Sequence, residues 1–355
     1  MLPTVNMPRI MDFLVGLLNT PSPTGYTDEA IAYVRRAFES IGLPDLALEE
    51  TIKGALIATL PGESETAPRA LSAHVDTIGA MVREIKTNGR LLLTQLGGYA
   101  WNAVEGENVT VHCARDGRRY RGTVQTINPS VHTSEQMREG KREEERMEVR
   151  LDVRTSKREE TLALGIDVGD FVSFDPRVEV TETGFIKSRH LDDKAGVAVI
   201  FGALLALKES GRLPAQRTTF LISNYEEVGH GATSGIPKDV VEFLAIDMAA
   251  STTGEHQNSD EYSVGICAKD STGPYDLRLR RRLIRLCEAN GIPYKVDTYP
   301  RYGSDGSAFL EAGGAARVGV IGPGVDASHA YERTHRDSLE ATTRLALCYL
   351  LDKGS

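Results

Sequence analysis

The sequence predicts an α/β fold: a mainly parallel sheet with helices on both faces, interrupted by a smaller β-rich insert. Three observations lead there. Apolar runs of strand length alternate with helical patterns in the first 77 residues, and the same alternation returns after residue 184. Between about 78 and 183 the texture changes to short β-type runs separated by glycines and charges. Three of the helical patterns end at a glycine, Gly42, Gly211 or Gly291, as helices do when the chain turns left-handed. The expected organisation is a catalytic α/β domain in two parts, 1–77 and 184–355, with the insert 78–183 between them.

In order along the chain, Ile10, Phe13, Leu14, Leu17 and Leu18 recur at helical spacing until Asn19, Pro21 and Pro23 stop them. A second helix starts at Thr27, with Asp28 and Glu29 in the first turn where the helix dipole favours acids, and runs to Ile41. Apolar runs at 55–60 and 70–75 read as buried strands, the second ending at His74 and Asp76. In the insert the runs 91–93, 109–113 and 120–127 read as strands, and Ser156 with Glu159 forms a capping-box pattern opening a helix that Gly165 closes. Residues 138–150 are mostly charged and read as a solvated loop. Afterwards come a helix over 194–210, strands at 218–224 and 243–248, a helix over 276–290, a strand at 318–321 ended by the turn Gly322-Pro323-Gly324, and a final helix capped at Asp337 or Ser338.

Composition narrows the function classes. The chain has 355 residues, 41% hydrophobic and 26% charged, enough for a sizeable core. Its net charge of -9 repels polyphosphate and anionic lipid, which argues against nucleic-acid or membrane partners. The four cysteines, Cys113, Cys267, Cys287 and Cys348, form no CxxC pair and suit a reducing cytoplasm. The stretch 10–18 is broken by Asp12 and followed by no small-residue cleavage site, and the longest apolar run, 196–207, is too short to span a bilayer.

The chemistry-bearing residues gather at strand ends. In Ala73-His74-Val75-Asp76 the two-residue strand period puts His74 and Asp76 on one face, where the carboxylate can orient the imidazole. His190-Leu191-Asp192-Asp193-Lys194 opens a small-residue helix with two adjacent acids, which serve either the helix dipole or a cation. Glu226 and Glu227 follow an apolar strand at the sheet edge where α/β folds bind ligands, and crowded anions of this kind call for a compensating cation. Asp247 ends the apolar run Phe243-Leu244-Ala245-Ile246, so it needs a cation or an ion-pair partner. For a last histidine ligand His329 and His335 compete, with His190 and His230 behind them, and spacing favours none. Imidazole and carboxylate donors suit zinc, cobalt or manganese. A Ser-His-Asp hydrolase is disfavoured because no G-x-S-x-G elbow occurs. Gly303-Ser304-Asp305-Gly306-Ser307 reads as a capped turn into a helix.

Taken together and in this order, these motifs make the chain resemble the tetrahedral aminopeptidases, family forty-two of the metallopeptidases, in the clan of two-zinc exopeptidases. The resemblance runs almost end to end, through Leu164-Gly165-Ile166-Asp167-Val168-Gly169-Asp170 in the insert and Tyr302-Gly303-Ser304-Asp305-Gly306 near the C-terminus. It implies His74, Asp192, Glu227, Asp247 and His329 as ligands of two divalent ions, zinc with cobalt or manganese as substitutes, and Asp192 as the bridge. It implies Asp76 as the acid orienting His74 and Glu226 as the general base, and so favours His329 over His335. It also implies a β-rich dimerisation insert, peptide substrates with a free N-terminus, and dimers that build dodecamers. Lys194 stands where that family usually has arginine, and Thr77 where glutamate often follows. Two other readings are a glycoside hydrolase, since some relatives carry a cellulase label, and an inactive assembly scaffold. The first would leave both histidines idle; the second would require a missing ligand or base, and none is missing.

Overall fold

A computed structural model of the chain describes residues 2–251 and 256–354. Among them the strands form two sheets, one open and twelve-stranded, the other a closed barrel. The centre of the open sheet is parallel. Strands Thr218–Ser223, Arg69–His74, Glu242–Ile246 and Arg317–Asp326 lie side by side in that order, all running the same way. Antiparallel strands extend it on both sides, Leu56–Leu60 and Ala47–Glu50 on one, Glu332–His335, Phe185–Ser188 and Glu179–Val180 on the other.

Side-chain alternation explains why this sheet is buried on both faces. In Arg69–His74, Leu71 and Ala73 point to one side and Ala70 to the other; in Glu242–Ile246, Leu244 and Ile246 oppose Phe243 and Ala245. The first side carries most of the helices: Met7–Leu18, Asp28–Ile41, Leu191–Ser210, Leu277–Asn290 and Arg336–Leu351 all contribute to one core. Leu191–Ser210 lies at its centre, buried from Leu191 to Leu207 because its Ala and Gly positions admit neighbours on every side. The second side is thinner, covered by the short helix Asp305–Glu311 and by Tyr275 and Tyr299. The expected stops at Gly42, Gly211 and Gly291 are present, each left-handed with φ of 63°, 65° and 59°.

The barrel closes in the order Gly79–Ile85, Leu91–Leu96, Met147–Leu151, Arg119–Thr126, Asn108–His112, Phe171–Phe174, back to the first strand. Val82, Leu93, Val111, Val124, Val149 and Val172 fill it; each such side chain contributes about 1.5–3 kcal/mol of burial, which gives the barrel its own core. It is inserted just after His74 and Asp76 and leads back, through Phe185–Ser188, to Asp192. Strand Glu179–Val180, numbered within 78–183, pairs into the open sheet rather than the barrel. Part of the charged run pairs with other segments of the insert: Arg142 donates to the Glu105 carboxylate at 2.7 Å and Arg90 to Glu148 at 2.6 Å, and the run ends in the buried strand Met147–Leu151.

Several local expectations change. The strand expected at 318–321 is ten residues long, Arg317–Asp326, and continues through Gly322-Pro323-Gly324 instead of turning there. Those glycines are needed for close approach: a Cβ on Gly322 would stand 1.7 Å from the Asp247 carbonyl oxygen, and one on Gly324 equally near that of Asp260. The last helix is capped by His335, whose Nδ1 accepts from the Asp337 N–H at 3.1 Å, not by Asp337 or Ser338. In the insert the helix is Arg158–Ala163 and Ser156 is not its cap; the Ser156 N–H and hydroxyl donate to Glu160 instead of pairing with Glu159. Thr27 precedes helix Asp28–Ile41 but makes no side-chain cap bond.

Candidate metal centre

The parallel strands end together, and their ends carry the acids and histidines. His74 is the last residue of Arg69–His74, Asp247 follows Glu242–Ile246, and Glu226 and Glu227 sit in a 3-10 turn just after Thr218–Ser223. The chain reaches that turn through Tyr225, a non-glycine residue at φ 65°, and leaves it through Gly229 at φ 86°. Asp192 and Asp193 open the central helix with non-helical backbone angles. His329, also left-handed at φ 62°, comes from the loop after Arg317–Asp326.

Asp192 lies between the two histidines. Its Oδ1 is 3.2 Å from His74 Nε2 and its Oδ2 is 3.4 Å from His329 Nε2. Each imidazole is fixed from behind by a main-chain carbonyl: His74 Nδ1–H donates to Asp76 O at 2.9 Å, and His329 Nδ1–H donates to Gly98 O. With Nδ1–H used in this way, Nε2 is the atom each ring turns toward Asp192: protonated, it donates to that carboxylate, and deprotonated it presents the lone pair a ligand needs. Glu227 Oε2 lies 3.4 Å from His329 Nε2, and Glu226 Oε2 3.6 Å from His74 Nε2.

Other candidates are engaged elsewhere. His335 uses Nδ1 as the helix cap, and its Nε2–H donates to Thr183 O at 2.9 Å. His190 donates to Phe174 O, and burial pushes its pKa down to about 3, so it is a neutral core histidine. His230 stacks on Tyr225 at the surface.

Asp76 acts differently from the simple picture of a carboxylate paired with an imidazole. Its main-chain oxygen takes the His74 proton, while its carboxylate, 3.6 Å from the ring, accepts from the Glu226 and Glu227 N–H groups at 3.1 and 3.3 Å and from the Thr24 hydroxyl at 2.8 Å. One buried acid therefore positions the histidine and both glutamates.

Two further carboxylates belong to the site, Asp193, which the sequence offered only as one of two adjacent acids, and Glu332, which it did not mark. Asp193 groups with His74 and Asp247, but its oxygens already accept from the His74 N–H at 3.3 Å and the Gly196 N–H at 3.1 Å. Glu332 is 1% exposed; one oxygen accepts from Asp192 N–H and the other from His329 N–H. The spacing of Glu332 three residues after His329 is that of a capping box and was the available signal.

Electrostatically, the cluster is an excess of buried anions. Burial, then the neighbouring acids, raises Asp193, Glu226 and Asp247 well above the carboxylate range, and burial lifts Glu227 to about 8. Asp192 goes the other way: burial opposes it, but the two histidines hold it below the usual value. Burial disfavours the charged form of His329 too, yet Asp192 and Glu227 lift it to about 10. The chain alone can relieve this charge only with protons. Nitrogen and oxygen donors of His74, Asp193 and Asp247, and of Asp192, Glu227 and His329, lie within 4.8 Å of one another in each group, so the residues fit divalent cations in chemistry and in spacing.

The cluster opens into a cleft of about 610 Å3 that is also lined by Met248, Tyr299, Pro300, Tyr302 and Ala308, with the exposed Arg301 and Glu311 among its residues. Among the described residues no helix is long and apolar enough to cross a membrane.

Comparison with known proteins identifies the family and the fold. The family model of the M42 glutamyl aminopeptidases matches residues 54–345. A Bacillus subtilis (strain 168) protein named "Putative aminopeptidase YhfE" is 48% identical over 346 residues, covering 96% of this chain and 97% of its own length. The fold is shared with an aminopeptidase from the archaeon Desulfurococcus kamchatkensis (TM-score 0.86, 23% identity, 98% of this chain and 95% of that one). It is shared also with the Pyrococcus horikoshii TET1 peptidase (TM-score 0.82, 22% identity, 97% and 99%). With the family model covering most of its length and a relative of nearly half identity, the chain belongs to the M42 glutamyl aminopeptidase family and is a metal-dependent aminopeptidase.

Proposed function

We propose that the cluster holds two divalent cations and removes N-terminal residues from peptides. His74 and Asp247 would serve one ion, Glu227 and His329 the other, with Asp192 shared between them. The observation that carries this reading is the Asp192 carboxylate, which turns one oxygen to each histidine. Asp193 shares a group with His74 and Asp247, but its oxygens are taken by N–H donors, so it is read as shaping the site rather than bridging it. Zinc is the expected ion, with cobalt or manganese as substitutes.

Divalent ions bound there polarise a carbonyl and ease deprotonation of water. The chain's own residues do the rest. Glu226 keeps 14% of its side chain exposed at the cleft, so it can take the proton of the attacking water and return it to the departing amine. Asp76 is fully buried and cannot reach substrate; it holds Glu226 in place through the peptide N–H. The apolar residues lining the cleft, Met248, Pro300 and Ala308 with the rings of Tyr299 and Tyr302, would receive the substrate's N-terminal side chain and exclude water from it.

We also propose that 78–183 is the unit through which copies pair, and that pairs build a dodecamer. The Pyrococcus horikoshii TET1 peptidase is described as assembling into a tetrahedron or a large octahedral shell, and this chain's barrel has its own core. Light scattering should show an oligomer at micromolar concentration; a fully active monomer would refute the assembly.

The test of the activity is chelation, metal counting and paired substrates. About two ions per chain are expected, with hydrolysis lost on chelation and restored by zinc, cobalt or manganese. A free peptide should be cleaved and its N-acetylated form should not, and a soluble β-glucan should remain intact. Equal cleavage of both peptides, turnover of the glucan alone, or full activity of the verified metal-free chain would overturn the reading.

A further inference from the structure

The loop carrying Glu226 and Glu227 is held from the core by buried groups. Asp76 accepts from both glutamate N–H groups, and Asp305 accepts from the Ala232 N–H at 2.8 Å. From the solvent side it is held by a different chain segment, the turn between strands Ala47–Glu50 and Leu56–Leu60.

That turn is closed by the Gly54 N–H donating to Thr51 O at 2.9 Å and by the Ala55 N–H donating to the Thr51 hydroxyl at 3.0 Å. Its outermost residue, Ile52, is fully exposed, whereas the next, Lys53, folds back over the loop. Lys53 Nζ donates to His230 O, and it lies 3.3 Å from Gly231 O and 5.5 Å from the centroid of the Tyr225 ring. Tyr225 stacks on His230 with centroids 5.1 Å apart, so the ammonium group meets both ends of the segment 225–231 at once. The main chain of Lys53 also takes part: Asn224, immediately before Tyr225, donates from Nδ2 to Lys53 O at 2.8 Å.

From this juxtaposition we infer that Lys53 is a positioning residue for the Glu226–Glu227 loop, acting through the carbonyls of His230 and Gly231 and the face of Tyr225. Among the described residues its ammonium makes no hydrogen bond or ion pair with the histidine and carboxylate cluster. Its ammonium supplies three donors and a point charge to a loop that enters at a left-handed Tyr225 and exits at a left-handed Gly229. The entry at Tyr225 is a conformation a non-glycine residue seldom keeps, whereas Gly229 adopts its own freely. Without Lys53 the two carbonyls can turn to water, so folding is little affected, but the loop loses its clamp on the solvent side. Glu226 then samples positions away from the attacking water, and small displacements of a reacting group reduce rate steeply.

The inference rests on the proposed role of Glu226, and the experiment separates the two. Lys53→Met, Lys53→Arg and Glu226→Gln are prepared in the full chain and measured with the best of a panel of aminoacyl p-nitroanilides, alongside bound zinc and melting temperature. Lys53→Met should lose about 10- to 100-fold in kcat, with KM, zinc content and melting temperature near those of the wild type. Lys53→Arg, which keeps charge and donors, should recover most of that loss. If Glu226→Gln is crippled while Lys53→Met turns over normally, the inference about Lys53 fails alone. If Lys53→Met loses zinc or melts early in proportion to its lost activity, Lys53 is merely structural and the inference also fails. If Glu226→Gln keeps full turnover, the reading of the loop falls and the role of Lys53 falls with it.

Discussion

Glu332 joins Asp192 to His329 through their main chains: its two carboxylate oxygens accept from the two peptide N–H groups at 3.0 and 3.1 Å. The side chains of those same residues face each other at 3.4 Å, so one buried acid sets the separation of two proposed ligands that are 137 positions apart in the chain numbering, 192 and 329. Replacing it with glutamine leaves one acceptor and turns an amide N–H toward a peptide N–H. Glu332→Gln should weaken metal binding by roughly 10- to 100-fold, the usual weight of groups that orient ligands. Titration of the metal-free variant with zinc, followed by activity, measures it; wild-type affinity would remove Glu332 from the site's support.

Gly322 tests the neighbouring Asp247 from its backbone side. A methyl at Gly322 would have to occupy space 1.7 Å from the Asp247 carbonyl oxygen, in the middle of paired strands that cannot separate locally. Gly322→Ala should therefore destabilise by about 1–3 kcal/mol or more, as overpacked positions do, and displace Asp247 with it. The expected result is a lower melting temperature together with lower zinc content. A variant as stable and as metal-rich as the wild type would show that the strand yields without moving Asp247.

The glycine example also shows where sequence reading runs out. Gly322-Pro323-Gly324 has the composition of a turn, and only the approach of Asp247 and Asp260 from other strands reveals that the glycines serve a continuous strand. His74, Asp247 and the Glu226–Glu227 pair stood out because each follows an apolar run, and that pattern is local. Choosing between His329 and His335 from residues alone was not possible, since the choice depends on what each ring nitrogen meets: Gly98 O for one, Thr183 O and Asp337 N–H for the other. Asp76 was read as the acid whose carboxylate orients His74; its main-chain oxygen makes that bond instead, and the carboxylate's bonds to Glu226 and Glu227 span about 150 residues and leave no trace in spacing. The β texture of the insert was visible, whereas closure into a barrel depends on the pairing of Gly79–Ile85 with Phe171–Phe174, which is long-range.

Acid sensitivity should come partly from the barrel. His112 is 3% exposed, bonded through Nε2 to the Ser173 hydroxyl at 2.8 Å, and packed on Tyr26; burial and then Arg119 push its pKa down to about 4. Its unfolded value is about 6.5, so the unfolded chain gains a proton first as pH falls. The neutral form's contribution is complete above about pH 6.5, declines through the window down to about pH 4, and is gone below it. Between pH 6.5 and 5 this amounts to about 2 kcal/mol. His112→Gln, which cannot titrate, should lose less stability than the wild type over that interval in urea unfolding. Parallel curves for the two proteins would assign the acid sensitivity to other groups.

The two adjacent glutamates should fail in different ways when changed. Glu227 Oε2 faces His329 Nε2 at 3.4 Å, and its other oxygen accepts from the Ile78 N–H at 3.2 Å, so its carboxylate is fixed within the cluster and only 3% of it is exposed. Glu226 faces His74 at 3.6 Å and keeps more of its surface on the cleft. Glu226→Gln retains size and hydrogen bonding but cannot take a proton, so turnover should fall by roughly 10² to 10⁴ with metal content near normal. Glu227→Gln replaces an anionic donor by a neutral one, so occupancy itself should drop, and excess zinc should return part of the activity. The backbone of both is held by the Asp76 carboxylate in either variant, which keeps the comparison local. Metal analysis and kinetics on the two purified variants decide the assignment: loss of metal from Glu226→Gln with retention by Glu227→Gln reverses the roles, and full activity in both moves the chemistry away from this loop.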